Sequence, residues 1–218
     1  MDVYTVAEMR AAEERTEREY GIPLGALMDA AGRGLAEAVV DTLCCARGTV
    51  WVMAGTGNNG GDGYVCAAEL MRRRVPVGVV GVRPDELAEG SLVRQAADRY
   101  RGLGGAIVPA ATDLGLDDVR GSLIVDALLG TGLTRPVTGV YAHLIGLINA
   151  AGLPVVACDI PSGVDADTGA IMGSAVRANR TVVMGLPKPA CVLTPGCTYF
   201  GDITVCDIGL PGAVTRSE

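Results

Sequence analysis

The chain has 218 residues, 49% hydrophobic and 20% charged, which is enough apolar material for one sheet covered on both faces and too much for a disordered chain. Its formal net charge of −7 repels phosphate backbones, and no Lys/Arg cluster interleaves with aromatics, so a nucleic-acid partner is excluded. No window reaches the roughly 20 apolar residues of a membrane span, and the start, with Asp2 and Glu8, lacks the basic and apolar regions of a signal peptide; no membrane is expected and the location is read as cytoplasmic.

Residues 5–20 and 24–43 carry apolar positions at helical spacing on either side of the turn Gly21-Ile22-Pro23. Residues 49–54 then form a short β-rich run ending in a glycine cluster, and helical periodicity resumes over 63–74. The alternation repeats: a strand at 75–82, a helix at 87–103, strands at 106–108 and 122–127, and a helix at 139–151. Apolar strands at 153–158, 180–184 and 203–208 complete the chain, and two glycine turns between Cys191 and Cys206 suggest that the last segment pairs antiparallel at an edge. Continuous apolar runs mean strands buried on both faces, and helices between them imply parallel crossovers. The expected fold class is α/β: a three-layer α/β/α, Rossmann-like, doubly wound and mostly parallel sheet forming a single domain over 1–218.

Seven cysteines (Cys44, Cys45, Cys66, Cys158, Cys191, Cys197, Cys206) make an odd set without a CxxC, which suits a reducing compartment. The single histidine, His143, falls in a helical stretch and reads as structural or surface, so no zinc site is expected. Arg72-Arg73-Arg74 closes a predicted helix, where cations suit the negative end of the dipole.

The loop Gly55-Thr56-Gly57-Asn58-Asn59-Gly60-Gly61-Asp62-Gly63 joins a strand to a helix start, where backbone N–H groups and the dipole favour an anion such as phosphate. Its first six residues match G-x-G-x-x-G, but the next strand ends at Arg83 instead of the acidic ribose partner. Read literally, that pattern suggests an NADP-dependent oxidoreductase. Three more strand ends carry polar groups: Asp126 before Gly130-Thr131-Gly132-Leu133-Thr134-Arg135-Pro136, Asp159 before Ile160-Pro161-Ser162-Gly163, and Lys188 between two prolines. In a doubly wound sheet such ends gather at one crevice.

At these residues the chain resembles the NAD(P)H-hydrate epimerase family, the YjeF-type N-terminal domain, marked by the glycine loop, Asp126-Ala127-Leu128 with Gly130-Thr131-Gly132-Leu133, Asp159-Ile160-Pro161-Ser162-Gly163 and Lys188-Pro189 in that order. The resemblance runs from Ala7-Glu8-Met9-Arg10 to Asp207-Ile208-Gly209-Leu210-Pro211. It implies an isomerase for metabolite repair, interconverting the R and S forms of hydrated NADH and NADPH (NADHX and NADPHX). The substrate-binding residues that it implies are Asn58, Asn59, Gly60, Gly61, Asp62, Gly130, Thr131, Gly132, Leu133, Thr134, Arg135, Pro136, Tyr141 and Asp159. It also implies a potassium ion on Asn59, Asp126 and Ser162, whose hard oxygen donors suit such a cation. Asp159 and Lys188 are assigned as the proton-shuttling pair, with acid and base interchangeable.

A separate NAD(P)HX dehydratase is the expected pathway partner, because no kinase-like dehydratase segment accompanies the domain within 218 residues. A homodimer stays open. So do a same-fold protein that binds another nucleotide or a protein partner, and a specialised enzyme with a changed substrate. The second reading draws on departures from the family pattern at Thr56, Asp29-Ala30, Val164 and Ala190; Ala190 would be strained if its position needs positive φ.

Overall fold

The computed structural model describes residues 2–44 and 46–214; Cys45, counted with the cysteines above, lies outside them. Seven strands form one sheet: β1 (Val50–Ala54), β2 (Val77–Gly81), β3 (Ile107–Pro109), β4 (Leu123–Ala127), β5 (Val155–Cys158), β6 (Arg180–Met184) and β7 (Asp202–Cys206). The order across the sheet is β3-β2-β1-β4-β5-β6-β7, with every neighbouring pair parallel. From β1 the chain winds outward to β3, then returns to β4 and winds the other way. The switch in strand order therefore lies between β1 and β4, where the loops leaving two adjacent strands part and open a crevice.

The alternation of side chains along a strand divides the core. Val50, Val52 and Ala54 of β1 face the larger cluster, packed under α2 (Leu24–Leu43), α3 (Asn58–Arg72) and α4 (Leu92–Gly102). Met53 and Trp51 face the other side, under α5 (Gly139–Ala150), with Leu144, Ile145 and Ile148. All five residues of β4 are buried. Truncating Leu123 to Ala there would cost about 2–5 kcal/mol through lost transfer energy and the cavity left behind.

The first helix, α1 (Val6–Tyr20), lies at the carboxyl rim of the sheet. Its start is fixed by a capping box, with Glu8 N donating to Thr5 Oγ1 at 3.2 Å and Thr5 N donating to Glu8 Oε2 at 2.7 Å. Tertiary bonds dock it: Tyr4 N donates to Pro187 O and Val6 N to Asp167 Oδ1, both at 2.8 Å.

Two sequence expectations shift. The last strand runs parallel to β6, not antiparallel, with Arg180 opposite Asp202 and Met184 opposite Cys206. Two 3-10 turns, Pro189–Cys191 and Gly196–Tyr199, carry the chain back to the start of β6, and Asp202 N bonds Asn179 O at 2.9 Å to begin the parallel register. The glycine loop is also shorter than its composition suggests. Gly61 N already donates to Gly57 O at 3.1 Å, so α3 starts at Asn58, five residues before the expected start at Gly63.

Candidate active site

The end of β1 delivers the glycine loop expected to cradle an anion. Gly57 caps α3 without a side-chain hydrogen bond, so the first amides of the helix, which have no acceptor within it, stay open to a ligand at the positive end of the dipole. The cradle is tightly folded on itself. A Cβ on Gly55 would strike the carbonyl oxygen of Leu128, and one on Gly60 the carbonyl oxygen of Gly55, whereas one on Gly57 would meet open space.

The ends of β5 and β6 deliver a buried ion pair. Asp159 follows β5 directly with φ of 63°, in the left-handed region that a residue with a Cβ seldom occupies. That turn aims its carboxylate along the rim. Oδ1 accepts from Met184 N at 3.0 Å and from Lys188 Nζ at 2.5 Å, and Lys188 Nζ also donates to Met184 O at 2.9 Å. Lys188 is 1% exposed and Asp159 9%, so little water screens the pair.

Between these two ends, β4 delivers Asp126 at 0% exposure. Ser162 donates to it twice, from N to Oδ2 at 2.8 Å and from Oγ to Oδ1 at 2.6 Å, and Leu128 N reaches Oδ1 at 3.3 Å. Burial nevertheless pushes the pKa of Asp126 up to about 6 against these hydrogen bonds. Leu129 N donates to Ser162 Oγ at 2.8 Å, which ties the Asp126 loop to the Asp159 loop. Asn59 packs against Gly130, and its buried Nδ2 has no hydrogen-bond partner.

These elements surround one cleft of about 380 Å³, bordered by Thr56 to Asn59, Asp62, Leu128 to Leu133, Tyr141, Asp159 and Lys188. α1 and α2 add Met9, Glu13, Leu27 and Met28, among others, to its walls. Tyr141 OH and Thr56 Oγ1 lie 3.3 Å apart at its edge. Asp62, half-buried in the cleft, is pushed well above the usual carboxylate range by burial, with Asp159 and Glu13 adding to the effect.

Of the residues expected at the site, Thr134, Arg135 and Pro136 are exposed and do not border the cleft, nor do Gly60, packed on the Gly55 backbone, and Gly61, packed on the Met28 side chain. Asp126 and Ser162 sit beneath it. Arg83, which carried the oxidoreductase reading, is away from the cleft and pairs with Glu86 at 3.6 Å. His143 Nε2 bonds Leu114 O at 2.8 Å in a structural contact, and Arg73 caps α3 while pairing with Glu69 at 2.9 Å. Ala190 is buried in a 3-10 turn and has no positive φ, so its methyl brings no strain. Glu13 went unnoticed in the sequence; its place in the series Val6, Met9, Arg10, Glu13 on one helix face was the available signal.

Comparison with known proteins gives a consistent picture. The family model described as YjeF-related protein N-terminus matches residues 24–190. The bifunctional NAD(P)H-hydrate repair enzyme Nnr of Salinibacter ruber is 40% identical over 221 aligned positions, covering 96% of this chain and 41% of the relative; the chain thus spans less than half of that protein. The NAD(P)H-hydrate epimerase of Limosilactobacillus fermentum is 38% identical over 93% of this chain and 95% of the relative. Among solved structures, the yeast protein ynu0 superposes with a TM-score of 0.74 at 25% identity, covering 87% of this chain and 83% of that one.

Proposed function

The chain belongs to the family of YjeF-related protein N-termini, and from that premise we propose that it is an NAD(P)H-hydrate epimerase, interconverting the R and S hydrates of NADH and NADPH. The observation that carries the reading is the buried Asp159–Lys188 pair, with 2.5 Å between Nζ and Oδ1, bordering the same cleft as the amino terminus of α3. One end suits the pyrophosphate, through backbone amides and the helix dipole. The other supplies a proton donor and a proton acceptor already in contact.

The hydrated ring carries a hydroxyl on the carbon beside its nitrogen. Once that hydroxyl is protonated, the nitrogen lone pair expels it as water and leaves an iminium, which water attacks from either face. Lys188 and Asp159 hand over and take back the proton at that oxygen. The apolar walls from Leu27, Met28, Leu128 and Leu133 limit the water that reaches the ring.

Potassium forms part of the proposal. Among the described residues no group of three His, Cys, Asp or Glu side chains could hold a metal, but a monovalent cation needs fewer charges. Asp126 is wholly buried with no cationic partner among the described residues, and with the amide oxygen of Asn59 and the hydroxyl of Ser162 it fits as a hard oxygen set. A cation there would offset the buried charge of Asp126 and tie the loops after β1, β4 and β5 together.

A dehydratase would use the product; relatives named bifunctional repair enzymes support a second repair activity that works beside this one. The buried free thiols of Cys66, Cys158 and Cys191 support a reducing, cytoplasmic setting. The test is to separate the R and S hydrates chromatographically and follow each with and without the protein. Accelerated approach to the same mixture from both sides is expected. Unchanged rates would refute the activity.

A further inference from the structure

One face of α1 forms a wall of the cleft: Val6, Met9, Arg10 and Glu13, at i, i+3, i+4 and i+7, all border it. The capping box and the two docking bonds to Pro187 and Asp167 hold that face in place. Glu13 thus reaches the cleft from a different wall than Asp159 and Lys188, which come from the ends of β5 and β6. It is half-buried, and its carboxyl makes no hydrogen bond or ion pair among the described residues. Burial raises its pKa despite the attraction of Lys188. The charged groups that act on it are Lys188 and Asp159 from the strand ends, Arg10 and Glu14 on its own helix, and Asp62 on α3.

Inversion at the ring carbon needs two proton transfers on opposite faces. On one, the C–O bond breaks as the hydroxyl takes a proton and leaves as water. On the other, a solvent oxygen bonds to the same carbon and gives up a proton, so that no net proton or electron is consumed. A pair confined to one face serves only one of these events. Asp62 is already engaged, accepting from Cys158 Sγ at 3.9 Å, whereas the Glu13 carboxyl is not.

We propose that Glu13 is a further catalytic residue, the carrier for the proton transfer that the Asp159–Lys188 pair does not serve. This rests on the epimerase reading. The test uses the whole protein as wild type, Glu13→Gln and Glu13→Asp, with resolved R and S hydrates in ¹⁸O-enriched water. Both interconversion and exchange of the hydroxyl oxygen without inversion are measured for each epimer.

For Glu13→Gln, interconversion is expected to fall on the order of 100-fold, while one epimer, the one whose hydroxyl faces the pair, continues to exchange oxygen near the wild-type rate. Glu13→Asp should recover part of the interconversion. Glu13→Gln interconverting at the wild-type rate would overturn the assignment, as would equal loss of exchange by both epimers, the mark of a merely structural role. Wild-type protein that interconverts nothing would refute the activity itself, and this inference with it.

Discussion

The loop after β1 and the strand ends of β5 and β6 border one cleft but are made of different material. The first is backbone: glycines packed so closely that Gly60 has no room for a methyl group, around helix amides left open. The second is side chain: a carboxylate on a left-handed residue, gripped by a lysine that is 1% exposed. A backbone cradle suits what all dinucleotides share, their phosphates, and loses its shape if a Cβ is added where the packing is closest, at Gly55 or Gly60. A buried ion pair keeps its shape only while both partners are present, because the survivor would be an uncompensated charge.

The largest effect should come from splitting the pair. Lys188→Met is expected to cost about 3–5 kcal/mol of stability and on the order of 100-fold or more in epimerisation. Denaturant unfolding and the chromatographic assay measure the two. Asp159→Asn combined with Lys188→Met should recover much of the stability without the rate, since Asn tolerates the left-handed backbone. A double variant as unstable as the single one would mean that the charge is not the source.

At the other end, Gly60→Ala should cost about 1–3 kcal/mol through overpacking and weaken dinucleotide binding by calorimetry. Gly57→Ala, three residues away with φ of −100° and open space around it, should stay within about 0.5 kcal/mol of wild type. Equal losses at both positions would contradict a cradle shaped by close backbone packing.

The smallest effect concerns the joint between the two regions. If Asn59, Asp126 and Ser162 hold potassium, KCl should raise the melting temperature above that in equal NaCl by about 2–4 °C, and Asn59→Ala should abolish the difference. The same response in both salts would remove the ion from the proposal.

Much of this was legible in the residues. The runs Val50 to Ala54, Leu123 to Val125 and Val155 to Cys158 are apolar throughout, so their strands had to be buried and the residues that follow them, Gly55, Asp126 and Asp159, had to gather at one rim. The path from Cys191 to Cys206 was not legible, since its glycine turns fit a hairpin as readily as the return crossover that makes β7 parallel. Nor was the start of α3, because Asn58 to Gly61 have poor helix propensity, and only their packing between the β1 and β4 ends holds them helical.

The order of polar and apolar segments alone determined the layers, the crossovers and which strand ends carry Asp126, Asp159 and Lys188, because local periodicity is a property of neighbouring residues. Tertiary structure decided what meets across the chain: Nζ of Lys188 on Asp159, Ser162 on Asp126, and Glu13 bordering the same cleft as that pair from the first helix of the chain. Such meetings depend on how α1 docks at the rim and how the sheet reverses its order between β1 and β4. No spacing along the sequence encodes those distances.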